Sequence, residues 1–340
     1  MKIKKLSILS LLLSLALITT LFSGCKKANS DTLVKVKLNE VVRSIFYAPM
    51  YAAISQGFFK EEGIEIDLST GQGADKTMQQ VLSNAVDIGF CGPEQVIYIY
   101  NQKRVDYPVI FGQLTQKDGA FLVARKDEPA FTWESLKGKT IIGGRPGGVP
   151  EMALEYVLKN HGIKPGENVE LITNLAFTAT AGAFKGGIGN YVTLFEPTAS
   201  MMKKENSGYI VASVGASAGT MPYTCFFATK SYIEKNPLII EKFTRAIYKG
   251  QKWVTSHSDA EVSTSIKSFF TGADEAVLIE SIKNYRNINA FSPNPILKSE
   301  DLTKLMDIIQ SYKADLIPTR PSFDKIVNNT FAEKAVKDLK

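Results

Sequence analysis

The chain has 340 residues, 44% of them apolar and 22% charged, with a formal net charge of +6. That length and apolar share allow a sizeable buried core, excluding a disordered chain, and suggest two lobes of about 100 to 200 residues each. The charge is too mild for a nucleic-acid partner. Removal of residues 1–24 would take Lys2, Lys4 and Lys5 with it and leave +3, and no longer basic block or aromatic-basic alternation follows.

The N-terminus reads as an export leader. Three lysines precede the uncharged run Leu6 to Phe22, and the small residues Ser23 and Gly24 stand before Cys25. The run is short for a membrane span and lacks a stop-transfer flank. The arrangement predicts a lipoprotein signal over residues 1–24 and lipid on Cys25, which places the protein on the outer face of the cytoplasmic membrane. Residues 25–32 are polar and predict a tether.

From residue 33 onward, strands end repeatedly at a proline that opens a helix. Val34 to Val42 runs toward Ala48-Pro49, Val86 to Phe90 into Gly92-Pro93, Lys139 to Gly144 toward Val149-Pro150, and Tyr191 to Phe195 into Glu196-Pro197. Proline suits the first helical position because its missing N–H would have no partner there. Such alternation predicts an α/β fold of parallel sheets with ligands at the carboxyl edge. Asp75 reads as the N-cap of a helix carrying Met78, Val81 and Leu82, and Pro237 to about Thr255 as a long amphipathic helix.

Two further strands, Gly119 to Arg125 and Pro222 to Lys230, divide the junctions evenly. A crossing at each would make lobe 1 of residues 33–122 and 223–340 and lobe 2 of 123–222. The helix starts would then face one cleft, with hinges near Phe121 to Arg125 and Tyr223 to Phe227.

Cys91 and Cys225 exclude a disulfide framework; one bridge between them is open, but two separately buried thiols are the expectation. His161 and His257 have no ligand partners at metal spacing, so neither a metal nor a cofactor is predicted. Gly71-Gln72-Gly73 and Gly143 to Gly148 lack the lysine and spacing of nucleotide loops. Their placement after strands points to turns that touch a ligand.

Tyr47-Ala48-Pro49-Met50-Tyr51-Ala52-Ala53, Gln56 to Ile64, Val86-Asp87-Ile88-Gly89 with Gly92-Pro93-Glu94, and Leu194-Phe195-Glu196-Pro197 together resemble a known group. It is the solute-binding proteins of bacterial ABC importers in the nitrate, aliphatic sulfonate, taurine and thiamine-pyrimidine branch. The resemblance covers residues 33 to 260, and the rest looks like a helical tail that wraps such proteins. It implies a two-lobe type II periplasmic-binding-protein fold with two hinge-crossing segments. It also implies a monomeric, non-catalytic receptor that delivers a small ligand to a permease and its ATPase. By position, the implied ligand contacts are Ser44, Phe46, Tyr47, Gly73, Asp75, Phe90, Gly92, Glu94, Arg145, Gly147, Gly148, Phe195, Glu196, Tyr223 and Thr224.

The same superfamily includes a fungal thiamine-pyrimidine synthase, which makes an enzyme the rival class. That resemblance would require a cysteine-rich iron motif near a histidine, whereas only Cys91 stands in that neighbourhood. No nucleophile elbow supports a hydrolase. For the ligand, Arg145 at a glycine-rich helix start would welcome a sulfonate, nitrate or carboxylate. Glu94 and Glu196 would repel one, unless they merely cap their helices. Five aromatics, Phe46, Tyr47, Phe90, Phe195 and Tyr223, suit a flat ring stacked between two of them. The balance favours an aminopyrimidine-like thiamine precursor over a sulfonate, taurine or nitrate.

Overall fold

The computed structural model describes residues 33–339; the expected leader at 1–24, Cys25 as the expected lipid site and the expected tether to residue 32 lie outside the described residues. Among the described residues, ten strands form two five-stranded sheets. They are β1 (Val34–Glu40), β2 (Ile64–Thr70), β3 (Ile88–Cys91), β4 (Pro108–Thr115), β5 (Phe121–Ala124), β6 (Thr140–Ile142), β7 (Glu170–Ile172), β8 (Tyr191–Leu194), β9 (Tyr209–Ser213) and β10 (Thr224–Thr229). The first sheet has the order β2-β1-β3-β10-β4 and the second β7-β6-β8-β5-β9.

Neither sheet is purely parallel. β2, β1 and β3 run parallel, as do β7, β6 and β8, but β10 is antiparallel to β3 and β4, and β5 to β8 and β9. The departure comes from the crossings: β5 and β10 are the strands that arrive from the other lobe, so each enters its new sheet from the opposite end. β5 lies wholly in the second sheet and β10 wholly in the first. The chain therefore passes between sheets at residues 116–120 and 219–223, just before each strand nominated as a hinge.

The core is built by alternation along fully buried β10. Phe226 stacks on Phe90 at 4.3 Å and meets Phe243 of helix Pro237–Ser256 at 5.2 Å. Phe227 points the other way, toward Gly89 and Val81 of helix Ala74–Leu82. Cys91 and Cys225 are buried and unbridged.

The proline junctions form with small shifts of register. Pro49 and Pro150 stand at the first turns of helices Ala48–Ser55 and Val149–Asn160. Pro93 and Pro197 occupy the cap positions of Glu94–Asn101 and Thr198–Lys204 instead. Gly73, not Asp75, caps helix Ala74–Leu82, and Asp75 falls in its first turn, where a carboxylate faces the helix N-terminus favourably.

The tail does not stay with one lobe. Helix Glu275–Asn287 packs on both the Ile45–Tyr47 turn and helix Thr198–Lys204, and helix Ser299–Tyr312 packs on Val149–Asn160 and Glu94–Asn101. Among the described residues, no helix is long and apolar enough to cross a membrane.

Candidate functional site

The carboxyl edges of the two sheets meet, and the nominated segments meet with them. Ser44 caps the turn Ile45–Tyr47 by accepting from the Phe46 N–H, and its hydroxyl donates across the cleft to the Glu196 carbonyl at 2.8 Å. Tyr98, on helix Glu94–Asn101, donates to the Gly147 carbonyl at 3.0 Å. Arg145 pairs with Asp75 at 3.4 Å. Three contacts thus hold lobe to lobe along the cleft.

The five nominated aromatics form one cluster. Phe46 lies 5.7 Å from Tyr47, 6.1 Å from Phe195 and 5.5 Å from Tyr223, while Tyr47 stands edge-on to Phe90 at 4.7 Å. These are separations of rings in direct contact. These neighbouring rings therefore touch one another and leave no gap for a further ring between them. Gly119 makes the packing feasible, because a Cβ there would stand 2.7 Å from the Phe46 ring and 2.9 Å from Phe195.

Two of the nominated carboxylates differ sharply. Glu196 is almost fully enclosed: its carboxylate accepts from Ser200 N–H at 2.9 Å, Ser200 hydroxyl at 2.8 Å, Ser281 hydroxyl at 3.3 Å and Asn284 amide at 2.7 Å. Its own N–H donates to the Tyr285 hydroxyl at 3.0 Å, which donates onward to the Gly119 carbonyl at 3.2 Å. Burial raises its pKa, and those donors oppose the rise. With donors on both carboxylate oxygens, Glu196 joins the lobes.

Glu94 is 2% exposed, and its carboxylate folds back over Gly92, where a Cβ would meet Oε2 at 2.0 Å. Oε1 accepts from Gln95 at 3.2 Å, but Oε2 has no partner. Burial pushes its pKa up to about 7, with the Gln95 amide and the Arg145 charge pulling the other way. Its charge is felt at Tyr47, Tyr98 and Tyr223.

Gly73 donates to the Val41 carbonyl at 3.1 Å, Gly148 to the Arg145 carbonyl at 3.2 Å, and Thr224 N–H to the Thr115 hydroxyl at 2.9 Å. These three hold turns and a strand start in place. The glycine-rich turn at Gly143 to Gly148 is braced from behind by Glu151, whose Oε2 accepts from Gly144 N–H at 2.8 Å.

Several cleft residues carry no sequence signal. Asp118, in the first crossing, is fully buried; its Oδ1 accepts from Ala120 N–H at 2.6 Å, and burial pushes its pKa up to about 7. It lies beside the buried Tyr223 hydroxyl, whose interaction with the carboxylate opposes that rise and pushes the tyrosine's own pKa up. Tyr98, Ser281, Asn284 and Tyr285 belong to helices whose apolar periodicity marks them only as core or surface.

Other features stand apart from the cleft. A cavity of about 530 Å³ lined by Thr140, Glu155, Leu171 and Tyr312 shares none of the nominated residues. His161 stacks on Trp133 and His257 on Trp253. Among the described residues, no group of three or more His, Cys, Asp or Glu side chains could hold a metal.

Two mixed sheets joined by two crossings, with helix starts converging on the cleft between them, define a type II periplasmic-binding-protein fold. The chain belongs to the NMT1/THI5-like family, whose model matches residues 45–261. It is 45% identical over 316 residues to a candidate binding protein of Bacillus subtilis (strain 168), YtlA, covering 93% of each chain. It is 26% identical over 228 residues to the 4-amino-5-hydroxymethyl-2-methylpyrimidine phosphate synthase of Aspergillus parasiticus, covering 63% of this chain and 65% of that one.

Among solved structures it resembles the alkanesulfonate-binding protein SsuA from Xanthomonas axonopodis pv. citri bound to MOPS. The TM-score is 0.70 at 13% identity, over 87% of this chain and 99% of that one. The nitrate-binding protein NrtA from Synechocystis PCC 6803 aligns with a TM-score of 0.67 at 15% identity, over 91% of this chain and 89% of that one. At these identities the likeness is one of fold.

Proposed function

We propose that the protein is the extracytoplasmic solute-binding component of an ABC importer, not an enzyme, and that its cargo is a small amine-bearing heteroaromatic ring of the aminopyrimidine type. It would be held at the outer face of the cytoplasmic membrane by lipid on Cys25. The ligand would enter as the lobes part about residues 116–120 and 219–223, then be handed to a permease.

One observation carries the choice of ligand: the buried Glu94 oxygen without a partner at the cleft. An unpaired buried carboxylate oxygen is costly, and a ligand donor such as an exocyclic amine would remove that cost. A small anion would instead face the negative or acidic group of Glu94 with Asp118 nearby. Arg145 is the basic side chain among the nominated contacts, and it is already paired with Asp75 and 42% exposed. The pyrimidine named in the fungal relatives' activity is a ring of the proposed chemistry, whereas the sulfonate and nitrate binders share fold at low identity.

The test is mass spectrometry of whatever small molecule co-purifies with the protein and is released on denaturation. An aminopyrimidine supports the reading. A sulfonate or nitrate as the released ligand would overturn it.

A further inference from the structure

Cys91 and Cys225 are register partners across β3 and β10, forming the last rung of that ladder. Directly opposed residues of an antiparallel pair have Cα atoms about 4.5 or 5.5 Å apart, inside the roughly 4.4–6.8 Å that a disulfide spans. Alternation places both side chains on the same face of the sheet, the face where Gly89 and Phe227 meet Val81. Cys91 Sγ lies on that side, 3.7 Å from the Ala74 carbonyl at the start of helix Ala74–Leu82. The register thus brings together two thiols that the chain separates by the whole second lobe.

The geometry points to an oxidation site: Cys91 and Cys225 close a cross-strand disulfide when the chain folds in the presence of a disulfide oxidant. The rung sits where the site begins. Gly92-Pro93-Glu94 follows Cys91 directly, and Cys225 is the second residue of the strand that returns from residues 219–223. The bridge would therefore fix the segment carrying Glu94 to the anchor of the second crossing, whatever ligand the cleft takes.

The chemistry balances through exchange. The thiolate of one cysteine attacks a small-molecule disulfide and releases one thiolate; the second cysteine then attacks the mixed disulfide and releases the other. Two thiols lose two protons and two electrons as the Sγ–Sγ bond forms, and the oxidant is reduced to two thiols. Both sulfurs are fully buried in the folded protein, and burial holds both thiols in the neutral form. Exchange therefore belongs to the folding chain, before helix Ala74–Leu82 covers the rung, and a completed bridge resists reductant in the native state.

The experiment refolds the full chain from denaturant with glutathione disulfide as oxidant, or with dithiothreitol. Free thiols are then alkylated under denaturing conditions and the protein is digested without reduction. The expected result is a linked pair of peptides containing Cys91 and Cys225 in the oxidised sample, two hydrogens lighter than the separate peptides, with a higher Tm than the reduced sample. Recovery of both residues individually alkylated would overturn the proposal. So would glutathione adducts on each, or a link from either to Cys25.

Discussion

Glu94 and Glu196 stand at helix starts on opposite lobes, Glu94 just after the cap proline and Glu196 just before it, and composition alone gives no reason to separate them. Their surroundings do. Glu196 receives four donors on its carboxylate and exchanges backbone hydrogen bonds with Ser44 and Tyr285. Glu94 receives one donor and keeps a bare buried oxygen. A buried carboxylate with donors on both oxygens stiffens the contact between lobes. One with an oxygen to spare is available to something that is not protein.

The sharpest way to break that distinction is to remove each carboxylate in turn. Glu196→Ala would strand Ser200 N–H, the Ser200 hydroxyl and the Asn284 amide without their acceptor, costing about 3 to 5 kcal/mol of stability. Glu94→Gln keeps the bond partner at Gln95 and removes the ionisation of a buried carboxyl, so it should not destabilise the fold and should raise stability near neutral pH by up to about 3 kcal/mol. Urea denaturation of the two variants checks both numbers. Equal losses would erase the difference between the two sites.

A pH series sharpens the same contrast. The Glu94 pKa is raised by burial from 4.5 to about 7, and that of Asp118 from 3.8 to about 7. The folded state then binds more protons than the unfolded chain between those values. Stability is fully present below the unfolded pKa and is lost as pH rises through about 7. The Glu94 share is about 3 kcal/mol at most. Without ligand, Tm should fall from about pH 5 to about pH 8, and Glu94→Gln should flatten that slope. A wild-type Tm that rises over this window would contradict the assignment.

Tyr285→Phe tests the link between the tail helix and both lobes. It removes the hydroxyl between Glu196 N–H and the Gly119 carbonyl, and should cost about 1 to 2 kcal/mol. Small-angle scattering of this variant should give a larger radius of gyration, because one tie across the cleft is lost. Arg145→Ala should have the smallest effect. Its pair with Asp75 is about half exposed on both sides, so the loss should stay below about 1 kcal/mol and shrink with salt.

The two-lobe architecture was legible because proline junctions, glycine turns and strand runs are local signals that the chain writes in order. The antiparallel return strands were not, since direction within a sheet depends on which lobe a strand comes from. At the site, residues beside a junction, such as Ser44, Tyr47 and Glu94, could be nominated by position. Asp118 could not, because Lys117-Asp118-Gly119 has the look of an ordinary exposed turn. Tyr285 and Asn284 sit in a tail helix whose periodicity says core without saying whose core. The opposite fates of Glu94 and Glu196 depend on donors supplied from far along the chain, at Ser281 and Asn284 in one case and nowhere in the other.

The central claim is that Glu94 supplies the ligand's acceptor. Its most direct test is a thermal-shift titration of wild type and Glu94→Gln with 4-amino-5-hydroxymethyl-2-methylpyrimidine and, separately, with taurine and a simple alkanesulfonate. At about 100 times the dissociation constant, a true ligand adds roughly 2.7 kcal/mol of stability. The pyrimidine should stabilise wild type, the effect should be largely lost in Glu94→Gln, and the sulfonates should do little to either. Stabilisation by a sulfonate that persists in Glu94→Gln and disappears in Arg145→Ala would contradict that claim.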